Sequence, residues 1–217
     1  MNLSRNSFLA TLATLTVVAL TTNTAQAQTL LYDITAGGGG SSFGGFGGNW
    51  GFNFTTTSTI NVGSLGLWDE SSNGLIGPHQ VGIFSSGGGA ALVSATVDNS
   101  STVVSSANAS GRWLFTSLGS SFSLPAGAYT LGFFNPASGL DDFRGGATTA
   151  VMAGASLLGG KARSGAPAFA WPDAASSANS WYGPNLMTGT SGGAAPEPGT
   201  LVFLALGGGL VWARRRK

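Results

Sequence analysis

The sequence predicts an all-β fold, and three observations carry that expectation. Apolar side chains alternate with small or polar ones at period two through most of the chain. Glycine, serine and asparagine clusters interrupt these runs every ten to fifteen residues. No long stretch carries an apolar stripe at helical spacing, so nothing competes with the strand reading.

The elements follow in order. Leu30 to Ile34 reads as a first strand. Trp50, Phe52 and Phe54 alternate with Gly51, Asn53 and Thr55, which puts the three aromatics on one face. Ile60 and Val62 begin another strand, but Leu65 and Leu67 continue it on the shifted phase, and Gly63 stands at the break. A β-bulge at Gly63 accounts for that shift. Val81 and Ile83, then Val93, Ala95 and Val97, mark two more strands. Trp113 and Phe115 alternate within RWLFTSL, and Tyr129, Leu131 and Phe133 alternate after the turn Pro125-Ala126-Gly127. Trp181 to Met187 reads as the last strand. Val151 to Leu158 is largely apolar and fits either a helix or a strand. The sum is an antiparallel β-sandwich, jelly-roll or immunoglobulin-like, in a single domain at 28–188.

Composition narrows the function classes. The chain has 217 residues, 36 of them glycine, with no cysteine and 8% charged residues. Without cysteine there is no disulfide framework, thiol catalysis or Cys-based zinc site. The sparse charge speaks against nucleic-acid binding, which needs basic stripes facing phosphates. The glycines have no triplet period, so collagen is excluded. Net charge is +1, but Arg5, Arg214, Arg215, Arg216 and Lys217 hold five of the nine cations. From Gln28 to Pro198, four cations face all eight acids, a net −4. Segments 36–49 and 189–195 are flexible in composition, and the second reads as a linker.

Both ends read as topogenic signals. Arg5, the apolar run Phe8 to Leu20 and the A-x-A triplet Ala25-Gln26-Ala27 form a signal peptide at 1–27, with signal peptidase cutting before Gln28. At the other end, Pro196-Glu197-Pro198 precedes an uncharged run from Leu201 to Ala213 and then Arg214-Arg215-Arg216-Lys217. Thirteen residues rise only about 20 Å as a helix. A transmembrane helix at about 199–213 is therefore short for a core of about 30 Å, and Gly207 to Gly209 weaken it further. The basic tail stays cytoplasmic by the positive-inside rule, so the body is exported and both ends specify one topology.

Those three C-terminal parts resemble the PEP-CTERM sorting signal. The resemblance spans Pro196 to Lys217. It implies that an exosortase, a membrane protease, recognises the triplet and removes the anchor, in Gram-negative bacteria that make extracellular polysaccharide. The body from Trp50 to Leu186 (GFNFTTTSTINVG, ALVSATV, RWLFTSL, LPAGAYTLG, WYGPNL) is similar to an uncharacterised exported β domain that travels with such signals. That similarity implies a β-sandwich and no activity. The expectation is a non-enzymatic surface or matrix protein, structural or adhesive in exopolysaccharide and biofilm. Its expected location is membrane-anchored at first, then the cell surface or outside.

Several other motifs have a plainer reading beside the functional one. In the loop DESSNGLIGPHQ, Asp69, Ser71 and Asn73 sit two residues apart before Gly74, as oxygen ligands of a weak calcium site would. Position twelve is Gln80 where a calcium loop needs glutamate, and a polar turn in which Asp and Asn bond their own backbone is the preferred reading. No other cofactor is expected. His79 is the only histidine, so a Ser-His-Asp site would need it, and no serine or acid is tied to it by spacing. Gly189 to Gly193 matches G-x-S-x-G but lies in the linker, away from any strand-to-helix elbow. Asp141, Asp142 and Arg144 read as a solvated loop with a local ion pair. Glycine runs without a following helix do not make a phosphate site. Trp68, Trp171, Trp181 and Tyr182 support the alternative function, a carbohydrate- or calcium-dependent binding module, if their rings are exposed to stack on sugars.

Overall fold

The computed structural model describes residues 27–41, 47–137, 141–176 and 181–189. The expected signal sequence (all but Ala27), the linker beyond Gly189, the Pro196-Glu197-Pro198 triplet, the helix at about 199–213 and the tail Arg214 to Lys217 lie outside those residues. Among the described residues every regular element is a strand, and no helix is long and apolar enough to cross a membrane.

In chain order the strands are β1 (Thr29–Leu30), β2 (Tyr32–Ser41), β3 (Gly48–Thr56), β4 (Ile60–Glu70), β5 (His79–Ser85), β6 (Val93–Val97) and β7 (Thr102–Ser105). They continue as β8 (Gly111–Leu124), β9 (Gly127–Asn135), β10 (Phe143–Val151), β11 (Ala155–Ser164), β12 (Ala174–Ala175), β13 (Trp181–Tyr182) and β14 (Pro184–Thr188). They form a five-stranded sheet, β1-β14-β4-β8-β7, a six-stranded sheet, β12-β11-β3-β9-β5-β6, and a three-stranded sheet, β13-β10-β2. All pairings are antiparallel. The fold is thus all-β, as expected, in a layered arrangement consistent with a sandwich.

Alternation sets the inner faces. Trp50, Phe52 and Phe54 of β3 stand opposite Phe133, Leu131 and Tyr129 of β9, and β9 in turn faces Val81 and Ile83 of β5. Between β4 and β8, Trp68 pairs with Trp113 on one face of the five-stranded sheet and Leu67 with Leu114 on the other, and both faces are buried here. These side chains enter one hydrophobic cluster shared by the sheets. Burying each large side chain contributes about 1.5–3 kcal/mol. Tyr32 joins the layers at the centre. Its ring meets Phe52, Trp113 and Tyr182 edge-on or tilted, with centroids 5.3–5.4 Å apart. Its hydroxyl donates to the Pro184 carbonyl at 2.9 Å.

The phase break in β4 is a bulge. Against β14 the register shifts between Met187 and Thr188, which face Ser64 and Val62, so Gly63 is the extra residue there and puts Val62, Leu65 and Leu67 on one face. Against β8 the longer stretch Ser117 to Phe122 bulges at the same place. The apolar stretch that fitted two readings is a strand turn: β10 ends at Val151, and β11 begins at Ala155.

Two expectations need correction. The glycine-rich segment 36–49 is not simply flexible. Residues 36–41 complete β2 against β10, and residues 48–49 open β3. Across from the glycines stand Arg144, Gly145 and Ala147, and the backbone ladder rather than β2's own side chains holds this part of the strand. Arg144 is not in a solvated loop beside Asp141 and Asp142. It lies within β10, 6% exposed, and its partner is distant in sequence.

The outer face of the six-stranded sheet is also covered. Gly51, Gly132 and Gly82 stand in register across β3, β9 and β5, making a lane without side chains. The segment from Gly165 to Asp173 crosses it as a strap. Phe169 packs against Phe84, with ring centroids 5.3 Å apart. A Cβ on Gly82 would stand 2.7 Å from the Phe169 ring, and one on Gly132 would stand 3.2 Å from Pro172. Asn49, fully buried, ties the strap down by donating to Ala168 O at 3.0 Å and accepting from Ala170 N at 2.9 Å.

Candidate functional site

The densest polar cluster lies where β4 runs into the loop before β5. It contains the sequence-predicted residues Asp69, Ser71 and Asn73. Asp69 points inward and is 2% exposed. Both its oxygens accept the Gly74 N–H, at 3.0 and 3.2 Å, and Oδ2 also accepts Arg112 Nε at 2.7 Å. Ser71 and Ser72 are exposed and held at φ 66° and 55°, left-handed conformations that cost non-glycine residues on the order of 1 kcal/mol each. With its amide nitrogen turned toward the two carbonyls, the orientation that satisfies both, Asn73 donates to Glu70 O and Gly74 O at 3.1 and 3.2 Å. Asp69 and Asn73 therefore bond the loop's own backbone, the polar-turn arrangement. At Asp69 the Arg112 guanidinium supplies the positive charge that a calcium ion would otherwise bring.

The rest of the loop is gripped by distant residues. Leu75 is buried, and its N–H and C=O pair with the Asn99 side chain at 2.7 and 2.8 Å. The Ile76 N–H donates to both oxygens of Asp141, at 3.1 and 2.9 Å. Asp141 Oδ2 also lies 2.6 Å from His79 Nε2, and His79 Nδ1 lies 3.0 Å from the Phe134 carbonyl. His79 is 0% exposed. Its imidazole bridges β5, β9 and the Asp141 segment, and it presents no ring atom to solvent. Asn135 in turn holds the backbone of Asp141 from both sides. This imidazole is a structural tie.

Glu70 completes the cluster. Arg144 grips it through two bonds, Nε to Oε2 at 2.8 Å and Nη2 to Oε1 at 2.5 Å. Trp68 Nε1 donates to Oε2 at 2.5 Å. Burial alone raises the Glu70 carboxyl, but the hydrogen bonds from Arg144 and Trp68, with the Arg144 charge, outweigh it and hold the group below its ordinary range. Arg144 Nη1 reaches the carbonyls of Gly37 and Gly38, so one guanidinium fastens the glycine-rich half of β2 to the end of β4.

Together these residues line a shallow cleft of about 180 Å³ bounded by Glu70, Ser71, Asn73, Gly74, Ile76, Asp141 and Asp142. Among the described residues, no group of three or more His, Cys, Asp or Glu could hold a metal ion. Glu70 is paired with Arg144, and Asp141 accepts from the Ile76 N–H and lies against His79 Nε2. Of the aromatics considered for sugar stacking, Trp68 is fully buried against Trp113 and Tyr182 is 8% exposed in the core. Trp171 is half-buried. Its Nε1 donates to Thr130 Oγ1 at 3.3 Å, and Lys161 Nζ lies 5.6 Å from its ring. Only the backbone of Trp181 is described, paired with Gly145.

The sequence reading missed Arg144, Glu70, Asn99, Asn135 and Asn49 as organising residues. Their partners lie far along the chain, so no spacing could reveal them. The one local signal is a polar residue inside an apolar alternation. Asp33 in LYDIT fits that rule: it accepts from Trp113 Nε1 and Ser106 Oγ at 2.9 and 2.6 Å.

Fold and cluster together define an all-β antiparallel domain whose polar groups mainly brace loops and strand ends. Comparison with known proteins returned no match among family models, curated proteins or solved structures.

Proposed function

We propose that this chain is an exported surface or matrix protein, sorted by an exosortase-like protease and serving a structural or adhesive role within extracellular polysaccharide. The observation that carries the reading is the order of three physically distinct parts at 196–217: a Pro-Glu-Pro triplet, an apolar run and a terminal basic cluster. The N-terminal signal agrees with it in topology. In this reading the body is a single β-sandwich, the helix at about 199–213 is a temporary anchor, and signal peptidase and the sorting protease are its processing partners.

The geometry of the domain ends supports the reading. Thr29 pairs with Thr188 at the β1 edge of the five-stranded sheet, so the N-terminal signal and the C-terminal tail leave from one place. The seven residues 189–195 reach at most about 25 Å when extended. The body would therefore stand close to the membrane until the tail is cut. A bracing role for the polar groups, with His79 sealed in the interior, supports a structural over an enzymatic role.

The test is the intact mass of the protein in each cell fraction. A species lacking Met1 to Ala27 and the residues after the Pro-Glu-Pro region, found outside the inner membrane, is the expected result. A species that keeps Leu201 to Lys217 and stays in the inner membrane would sink the matrix role. Retention of the released species by purified exopolysaccharide, measured with and without a chelator, separates a passive matrix component from a calcium-dependent binder.

A further inference from the structure

We propose that Asn73 is a self-modifying position: it deamidates through a succinimide with Gly74, and the product loosens the cleft loop. Asn73-Gly74 is the only place in the chain where glycine follows asparagine. Asn99 is followed by Ser100, Asn108 by Ala109 and Asn135 by Pro136. A following side chain hinders attack of the backbone nitrogen on the asparagine Cγ, and glycine has none. Asn73 is exposed, so water reaches it.

The surroundings favour the reaction. Both oxygens of Asp69 accept the hydrogen on the Gly74 nitrogen, at 3.0 and 3.2 Å. A carboxylate thus already holds the proton that must leave when this nitrogen attacks. In the step, the Gly74 N to Asn73 Cγ bond forms, the Cγ to Nδ2 bond breaks, and the proton lost by Gly74 ends on the departing ammonia. Water then opens the cyclic imide at either carbonyl, leaving aspartate or isoaspartate. Nothing is oxidised or reduced.

The consequence follows from the hydrogen bonds. In the orientation that satisfies its surroundings, the Asn73 amide nitrogen faces Glu70 O and Gly74 O and donates to both. A carboxylate there has no hydrogen to donate and faces two carbonyl oxygens. It also adds a negative charge to a cleft wall that holds Glu70, Asp141 and Asp142. Isoaspartate further lengthens the backbone next to Ser71 and Ser72, whose left-handed conformations need a fixed turn. The contacts that weaken are those of Gly74, Leu75 and Ile76 with Asp69, Asn99 and Asp141.

Incubating the folded full-length chain at mildly alkaline pH, with peptide mass mapping and isoaspartyl methylation over time, tests the first half. We expect mass gain and isoaspartate at residue 73 at least roughly tenfold faster than at Asn99 or Asn108. Equal rates at the three sites, or gain at Asn99 or Asn108 with Asn73 intact, would overturn it. Hydrogen exchange tests the second half: the Gly74, Leu75 and Ile76 amides should exchange faster in the aged fraction and in Asn73→Asp than in fresh protein. Unchanged exchange in both would refute the loosening.

Discussion

At the scale of single residues, Glu70 and Arg144 make the most consequential pair. Arg144 is nearly buried, and its guanidinium meets a carboxylate, an indole face 5.8 Å away and two carbonyls. Glu70→Gln keeps the shape but leaves that guanidinium without its counter-charge, at a cost of about 2 kcal/mol. Urea titration of the two proteins at neutral pH checks the figure. The pH dependence has a definite sign. Because the folded carboxyl sits below its ordinary range, its contribution is fully present above the unfolded value near 4.3. It is lost as pH falls through the folded value. Melting temperature should therefore drop on acidification through that window, and more steeply for the wild type than for Glu70→Gln. Parallel curves would mean that the pair contributes no acid sensitivity.

At the scale of elements, the strap from Gly165 to Asp173 depends on what lies beneath it. It has no strand partner of its own, and the Asn49 side chain takes the place of a sheet ladder at Ala168 and Ala170. Asn49→Ala removes both bonds and leaves a backbone N–H and C=O to be resolvated, so a loss of about 1–3 kcal/mol is expected. The sharper readout is local: limited proteolysis should cut between Gly165 and Asp173 in the variant while the intact chain resists. Gly82→Val should act the same way by displacing Phe169, because its Cβ would already crowd that ring. If the strap stays protected in both variants, something other than Asn49 and the glycine lane holds it.

At the scale of the whole molecule, the core joins the three sheets through Tyr32 and its ring contacts, and most strand pairs are distant in sequence. β3 pairs with β9, β4 with β8 and β14, and β2 with β10. A shared core predicts one cooperative transition, with tryptophan fluorescence and far-ultraviolet circular dichroism melting together. Two separated transitions would show that the sheets are independent units. Such non-local pairing also predicts slow folding, on the millisecond-to-second scale of β-sandwiches, which stopped-flow refolding would measure.

Most strands with alternating side chains were legible in the sequence, whereas β10, at 143–151, was not, and the single strand expected over Trp181 to Met187 is two, β13 and β14, in different sheets. Side-chain alternation is a local property, and burial of Trp50, Phe52, Trp113 and Phe133 follows from it. The phase shift at Gly63 was legible for the same reason, since a bulge is written as one extra residue. Short or side-chain-poor strands were not legible: β7 has four residues, and the end of β2 is glycine, so neither carries a periodic signal. Within the cleft, sequence foresaw that Asp69 and Asn73 turn the loop back on itself, a contact spanning a few residues. It misplaced Arg144, because proximity along the chain suggested Asp141 and Asp142. That Arg144 belongs to Glu70, Asp141 to His79 and Asn49 to the strap follows from the folded arrangement alone. A charge chooses the partner that burial and strand register place beside it, and those depend on chain segments far from its own.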